Sequence, residues 1–198
     1  MLILAARRKQ LVVHAGGREA TCMNIDRLEP SDAYRSVRLA VASDAVAIHG
    51  LAVDNGMFAP DDMAGFDEML QGYLDGSLDQ HRWIVAPDDD GRVVGAAYFA
   101  PEPFADRVWN LYFLAVHPGH HRSGIGARLV SQVEKSLLGT GEQAARVLIV
   151  ETSSTIEYES ARRFYEREGF DREARVREFY GPGDDKIVFW KSLVPAGS

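Results

Sequence analysis

The sequence contains a single cysteine, Cys22, and it lacks any apolar run of the length that a membrane span needs. One cysteine cannot form a disulfide within the chain, which excludes the disulfide-stabilised secreted folds and is compatible with a reducing compartment. The opening residues MLILAARRK place their charges after a very short apolar run, the reverse of a secretory signal. We therefore expect a cytoplasmic protein that does not insert into membranes.

Basic residues are fewer than acidic ones. The 198 residues include 22 Lys and Arg against 29 Asp and Glu, which gives a formal net charge of −7. Residues 1–22 hold four basic residues and one acid, so the remainder of the chain is more acidic than the whole. This balance opposes a broad surface for nucleic acid or anionic lipid, and it fits a cationic or amine-bearing partner better.

The length suits one domain with a buried core. We expect residues 1–22 to be a disordered tail, or an over-long gene start with Met23 as the true initiator. The domain is then expected to span 23–194, with 195–198 as a short tail. Short strands that alternate with amphipathic helices predict one α/β domain with a mixed sheet of about six or seven strands.

The turn and capping residues divide the chain into elements. Helices are predicted toward Ala52, with Ser43 and Asp44 as caps, and at 61–74, 124–138 and 156–170, where Gly169 marks the end. Strands are predicted at 24–28, 81–87, 92–101, 108–116 and 145–152, before a last hairpin over 173–193 that turns at 181–184. The helix between 108–116 and 145–152 predicts a right-handed crossover between parallel strands.

The segment VHPGHHRSGIGARLV (116–130) joins an apolar strand to an amphipathic helix. Such a join directs free backbone N–H groups, and about half a positive charge from the helix dipole, at the space beyond the strand. Gly124 and Gly126 let a ligand approach the backbone, while His121 and Arg122 add donors or positive charge. The pattern predicts a site for a phosphate-bearing ligand; a glycine loop that binds nothing is the plainer alternative.

Two familiar phosphate motifs do not fit this segment. Ile125 and Gly126 stand where a Walker A loop requires a lysine and a hydroxyl residue. Leu129 occupies the third glycine position of a dinucleotide-binding fingerprint.

The segment resembles instead the signature of the GNAT superfamily of N-acetyltransferases. That signature is a glutamine or arginine, two residues, a glycine, any residue, and then glycine or alanine, between the fourth strand and the third helix. Gly124 and Gly126 match the two small positions, whereas His121 stands at the first position. A second segment, ARRFYEREGF (161–170), is similar to the family's alanine, aromatic-tyrosine and glycine-phenylalanine pattern on the fourth helix. The resemblance extends over residues 23–192.

The resemblance implies a GNAT-like acyl-CoA N-acyltransferase fold, in which a central, mostly antiparallel sheet with one parallel, splayed strand pair is flanked by about four helices. It also implies acetyl-CoA as the donor, with no metal. Backbone N–H groups would hold the coenzyme A pyrophosphate, and the edge of the fourth strand would hold the pantetheine. The donor-binding residues implied in this way are Leu114, Ala115, Val116, His121, Arg122, Ser123, Gly124, Ile125, Gly126 and Ala127.

By the same resemblance, Tyr165 is the acid that protonates the leaving thiolate; the plainer alternative is an aromatic that packs beside Phe164. Glu151, at the predicted C-terminal end of a strand, is the candidate base, and it could equally cap the next segment or pair with an arginine. Family members also admit amines that are already neutral. His117 and His120 are interpreted as loop residues or phosphate neighbours rather than as the base.

Acceptor-binding residues are expected after the first helix and in the last hairpin. Asp54, Asn55 and Phe58 combine a carboxylate with apolar surface, as an amine-bearing ligand requires, and Tyr180 could form the opposite wall. Each is also compatible with ordinary loop chemistry. The acidic run at 88–90 is interpreted as a solvated turn and not as a metal site.

The sequence thus predicts a soluble acetyl-CoA-dependent N-acetyltransferase. The acetyl group would pass to a primary amine of a small molecule or peptide by direct attack in a ternary complex, because Cys22 offers no acyl-enzyme route. Two alternatives stay open: a non-catalytic acyl-CoA sensor or interaction module, and an acyltransferase with another donor or acceptor. Exposed sheet edges are compatible with a homodimer.

Overall fold

A computed structural model of the chain describes residues 36–58, 63–138 and 144–194. The predicted tails and the predicted strand 24–28 lie outside the described residues. The helices are α1 (Ala45–Asp54), α2 (Met63–Leu74), α3 (Ile125–Leu137) and α4 (Glu159–Arg167). The strands are β1 (Arg38–Leu39), β2 (Arg82–Pro87), β3 (Val93–Pro101), β4 (Val108–Val116), β5 (Val147–Ser153), β6 (Asp171–Gly181) and β7 (Asp184–Ser192).

The seven strands of the described residues form one sheet in the order β1-β2-β3-β4-β5-β7-β6. β4 and β5 are parallel, and the other neighbouring strands are antiparallel. The predicted mixed sheet and the crossover through α3 are confirmed. The predicted final hairpin is confirmed as well, with Gly181 paired to Asp184 across the turn.

The parallel pair is short, as a splayed pair should be. β4 continues to Val116 and β5 to Ser153, yet the two strands share three paired rows: Val108 with Val147, Trp109 with Leu148, and Asn110 with Ile149. Beyond these rows the only strand that pairs with β5 among the described residues is β7. The sheet therefore opens between β4 and β5 at its carboxyl end.

Helices cover both faces of the first four strands. Phe66 of α2 packs against Trp83 and Phe113, with ring centroids 5.3 and 5.2 Å apart. Ile125 of α3 lies against Gly95, where an added Cβ would come within 2.7 Å of its Cγ2. Since side chains alternate along a strand, Gly95 and the β3 partner of Trp83 face opposite ways. None of the described helices combines the length and the apolar character that a membrane crossing requires.

The segment before α1 differs from the prediction. Arg38 and Leu39, for which no strand was predicted, form β1 by pairing with Val85 and Ile84. The Asp44 carboxylate does not cap α1; it accepts the N–H of Val41 at 2.9 Å and pairs with Arg38 at 2.6 Å. Hydrogen bonding from Arg38 lowers the pKa of Asp44. This carboxylate therefore closes the turn that joins β1 to α1.

Candidate functional site

A cleft of about 700 Å³ lies beside the end of β4, where that strand has separated from β5. We call it the α3 cleft, because the loop 120–124 and the start of α3 form one wall and α4 forms the other. Of the ten residues predicted to bind the donor, all except Ser123 line it. The α4 wall consists of Glu159, Ser160, Ala161, Arg163, Phe164, Arg167 and Glu168.

The loop before α3 turns through two residues in the left-handed region. Arg122 has φ of +63° and Gly124, the N-cap residue, has φ of +83°. The N–H of Arg128 bonds to the carbonyl of Gly124 at 3.0 Å, so the preceding N–H groups of α3 have no helical acceptor. These groups and the helix dipole are directed at the cleft, as an anion site requires.

Two loop side chains brace this turn. Nε2 of His121 donates to the carbonyl of Val116 at 2.9 Å, and Oγ of Ser123 donates to the carbonyl of His120 at 2.6 Å. The guanidinium of Arg122 lines the cleft and has no hydrogen-bond partner among the described residues. Of the three side chains, Arg122 is therefore the one available to a bound anion.

Gly126 has a packing role that its place in the motif did not reveal. A Cβ at this position would lie 3.2 Å from the Phe164 ring of α4. A Cβ at Gly124 would meet nothing within 4 Å, but its positive φ favours glycine. One glycine thus permits the turn, and the other permits the two walls of the cleft to approach each other.

Tyr165 lies behind the α4 wall and is fully buried. Its ring packs against Phe164, Phe170 and Phe189, with centroids 5.4 to 5.8 Å apart. Its hydroxyl has no hydrogen-bond partner among the described residues, and burial raises the pKa of this phenol. The hydroxyl is therefore a protonated donor without an acceptor, and Phe164, rather than Tyr165, lines the cleft itself.

Glu151, the candidate base, lies on β5 and is 29% exposed. Its Oε1 is 3.0 Å from Nζ of Lys186 on β7, and this lysine is largely buried. The ion pair that was considered as an alternative, with an arginine, is made with a lysine, because Glu151 and Lys186 lie two rows apart in the antiparallel ladder of β5 and β7 and so share one face of the sheet.

The four predicted acceptor residues have different surroundings. Asn55 lines the α3 cleft while its Nδ2 donates to the carbonyl of Leu51 at 2.8 Å. Asp54 lies 4.0 Å from Nε2 of His117, and Phe58 packs on Phe66 at 5.3 Å. Tyr180 lies on β6, with a buried hydroxyl that has no partner among the described residues. Their roles stay predictions.

A polar cluster that the sequence patterns did not predict joins two residues of β4 and one of β3 to residues just before β2 and just after β3. Oε1 of Glu102 accepts the Tyr112 hydroxyl at 2.9 Å and Nδ2 of Asn110 at 2.8 Å. Nδ1 of His81 and the Tyr98 hydroxyl are 2.5 Å apart, and the rings of Tyr98 and Tyr112 are 5.7 Å apart. We call these five residues the Tyr112 cluster.

The Tyr112 cluster carries a negative field. The pKa of Tyr112 is raised strongly, first by burial and then by Glu102, with a smaller effect from Glu151. Glu102 is thus the main source of negative charge at the Tyr112 hydroxyl, which it contacts directly. A bulge between Tyr98 and Phe99 leaves Tyr112 without a ladder partner on β3. The visible signal was an Asn and a Tyr inside an otherwise apolar strand.

Within the described residues, no group of three or more His, Cys, Asp or Glu side chains is close enough to hold a metal ion. The expectation that the reaction uses no metal stays a prediction.

Sequence and structure comparisons identify the relatives of this chain. The family model of the acetyltransferase (GNAT) domain matches residues 79–172. A crystal structure of a GNAT-family protein from Desulfovibrio desulfuricans is 32% identical, with a TM-score of 0.72, and the match covers 80% of this chain and 99% of that one. No curated protein sequence matches this chain.

More distant structures share the fold alone. The ribosomal-protein-S18-alanine N-acetyltransferase from Escherichia coli is 16% identical, with a TM-score of 0.63 over 82% of this chain and 96% of that one. An aminoglycoside 6'-N-acetyltransferase in complex with coenzyme A is 17% identical, with a TM-score of 0.62 over 82% of this chain and 99% of that one.

Proposed function

The chain belongs to the GNAT family of acetyltransferases, and from this premise we propose that it transfers the acetyl group of acetyl-CoA to a primary amine of a small molecule or peptide. The transfer takes place by direct attack in a ternary complex. The observation that carries the proposal is the set of free N–H groups at the start of α3, which faces the cleft beside the separated end of β4.

The α3 cleft fits a coenzyme A donor. The N–H groups from Arg122 to Ala127 would hold the pyrophosphate, and the guanidinium of Arg122 would add a charged contact. The backbone of Leu114 and Val116 would bond the pantetheine, since β4 has no ladder partner in β5 beyond Asn110. A related fold has been solved with coenzyme A bound, in the aminoglycoside 6'-N-acetyltransferase.

Acetyl-CoA supplies the activated thioester, and the protein supplies proton transfer and orientation. We assign Tyr165 as the acid that protonates the sulfur when the carbon–sulfur bond breaks; its orphan hydroxyl and raised pKa support a phenol that keeps its proton until then. Glu151 would accept the proton of the amine, directly or through water. A backbone N–H of Leu114 or Val116 would polarise the thioester carbonyl.

The acceptor is proposed to approach the Tyr112 cluster. Glu102 places a carboxylate 2.9 Å from the Tyr112 hydroxyl, and Glu151, which is paired with Lys186, adds a smaller effect; this charge suits the ammonium form of an arriving amine. The pKa of Tyr180 is raised mainly by burial and, to a smaller extent, by the charge of the same Glu151. Tyr180 could thus form the far wall, as the sequence predicted, although Asn55 faces the α3 cleft instead.

The proposal is tested first by isothermal titration of the full chain with acetyl-CoA, free coenzyme A and desulfo-CoA. We expect saturable binding of all three at about micromolar concentration. An amine library would then be screened for acceptor-dependent release of free thiol, with Tyr165→Phe as the matched control that keeps the cleft intact.

The outcomes separate three interpretations. Binding together with amine-dependent thiol release supports the proposal. Binding without release for any amine would favour a non-catalytic acyl-CoA sensor. A folded protein that binds none of the three nucleotides would refute the assignment of the α3 cleft, whatever the acceptor.

A further inference from the structure

A second cleft, of about 390 Å³, lies between the end of β5, one side of α4 and the edge strand β6. We call it the arginine cleft. Of its seven lining residues, Glu159 and Arg163 also line the α3 cleft, and the other five do not. Four of the seven are arginines, although the formal net charge of the chain is −7. The lining residues are Ser154, Glu159, Arg162, Arg163, Glu166, Arg172 and Arg175.

Two of the four arginines are neutralised within the protein. Nη2 of Arg163 is 2.6 Å from Oε1 of Glu159, one helical turn earlier. Arg175 pairs with the carboxylate of Asp185 on β7. The positive charge that remains for a ligand therefore belongs to Arg162 and Arg172.

Arg162 is held in place. Its Nη1 donates to the carbonyls of Ser153 at 2.6 Å and Thr155 at 2.8 Å, which uses both hydrogens of that nitrogen. Its Nε and Nη2 hydrogens have no acceptor among the described residues. Arg172 lines the same cleft, and burial and then the charge of Arg172 lower the pKa of Arg162, against a smaller opposite effect of Glu159, Glu166 and Asp184.

Arg172 and Ser154 complete a surface rich in donors. Arg172 is exposed, and its guanidinium forms neither an ion pair nor a hydrogen bond with any described residue. Oγ of Ser154 accepts the N–H of Asp185 at 2.9 Å, so its own hydrogen is available to donate. Glu166 is the one carboxylate of the cleft without an ion-pair partner within the described residues, and it is exposed to solvent.

We propose that the arginine cleft is a binding site for a phosphate group, free or carried by a small phosphomonoester, held between Arg162 and Arg172 with Ser154 as a third contact. The donors far outnumber the free acceptors, and a tetrahedral oxyanion with several oxygens can satisfy them at once. The bound anion also relieves the repulsion between the two guanidinium groups. The three proposed contacts, Arg162, Arg172 and Ser154, do not line the α3 cleft, and the proposal does not depend on the function proposed above.

The test is titration of the full chain with inorganic phosphate by calorimetry, at constant ionic strength set with sodium chloride. Arg172→Gln removes one guanidinium that has no partner among the described residues, so the fold should be unaffected. We expect it to weaken phosphate binding about tenfold or more, as loss of a charge-assisted contact does. Arg177→Gln removes an equal charge from the same strand outside the cleft, and it should leave the affinity within about twofold.

Three further results bear on the proposal. Shifts of the side-chain Nε–Hε resonances of both Arg162 and Arg172 on addition of phosphate would support it directly. Absence of saturable phosphate binding up to roughly 10 mM would overturn it, as would equal weakening by Arg172→Gln and Arg177→Gln. Phosphate is therefore also titrated into the chain saturated with coenzyme A, which occupies the anion site of the α3 cleft, and loss of all saturable phosphate binding under this condition would overturn the proposal as well.

The source of the phosphate is distinguished in the same experiment. A phosphomonoester such as glycerol 3-phosphate is titrated beside inorganic phosphate and acetate. Tighter binding of the ester identifies a small-molecule effector, whereas tighter binding of inorganic phosphate identifies the free ion; either supports the site. Acetate that binds as tightly as phosphate would refute the phosphate class, since it would show that any small carboxylate suffices.

Discussion

The α3 cleft and the Tyr112 cluster lie on one sheet, but the first offers mainly backbone groups and the second offers side chains. The α3 cleft offers main-chain N–H groups from the start of α3 and the separated end of β4. The Tyr112 cluster offers side chains, with Glu102 at the centre of two hydrogen bonds. Backbone donors can recognise a ligand whatever residues carry them, whereas a side-chain cluster changes with each substitution. This difference suits a shared donor and a variable acceptor.

Substitution of Tyr165 tests whether chemistry can be separated from donor binding. Tyr165→Phe should lower turnover about 100-fold or more, because the leaving thiolate loses its proton donor, while the dissociation constant of coenzyme A changes less than about twofold. Steady-state kinetics and calorimetry measure the two effects. The free energy of unfolding should not fall, since the hydroxyl has no partner among the described residues. Unchanged turnover would remove Tyr165 from the chemistry.

Substitution of Gly124 tests the α3 cleft, whose donors are backbone N–H groups, without changing the Tyr112 cluster. Gly124→Glu should raise the dissociation constant of coenzyme A about 30-fold, because a carboxylate would repel the pyrophosphate at the positive end of α3. Gly124→Ala introduces the same left-handed strain without charge, into space where a Cβ meets nothing within 4 Å, and serves as the control. Equal affinities for the two variants would show that the anion does not bind at this turn.

Substitution of Glu102 tests the Tyr112 cluster, which consists of side chains, without changing the α3 cleft. Glu102→Gln keeps an acceptor for Tyr112 and Asn110 but removes the charge. We expect the KM for the amine to rise about fivefold, because the loss of one partly exposed charge contact typically weakens binding by about this much. The affinity for the donor should not change. Glu173→Gln on the exposed edge strand is the control. A change in donor affinity instead would place Glu102 at the α3 cleft and contradict the comparison.

The smallest effect concerns the pH dependence of stability. Burial, and then Arg82, lower the pKa of His81 below the usual value of a histidine, 6.5. The unfolded state therefore binds the proton more readily, so the free energy of unfolding should decrease as the pH falls below about 6.5 toward the folded-state pKa. Urea denaturation at pH values from roughly 7 to 5 should show a shallower decrease for His81→Gln than for the native chain. Identical slopes would mean that His81 titrates as it does in the unfolded chain.

Local patterns explain how much of this molecule the sequence could predict. The join from strand to α3 was predicted because its signals are local: an apolar strand, a glycine-rich turn and an amphipathic helix. The predicted helix 124–138 is found at Ile125–Leu137. The parallel pair and the final hairpin followed from the same kind of pattern.

The features that were missed depend on residues far apart in the chain. Leu39 adopts a strand conformation because it pairs with Ile84 of β2, and no residue close to Leu39 in the sequence indicates this pairing. Tyr112 meets Glu102 because a bulge breaks the alternation of side chains along β4. Glu151 pairs with Lys186 through the register of two antiparallel strands. Local periodicity carries no information about any of these partners.

The separation of β4 from β5 has a consequence for cooperativity. Three paired rows join an antiparallel unit of β1 to β4 to a second antiparallel unit of β5, β7 and β6. An extended ligand that bonds the free edge of β4 would act as an inserted strand and lengthen this seam. We therefore expect a bound donor to slow amide hydrogen exchange in both units together, so that two weakly joined half-sheets unfold as one.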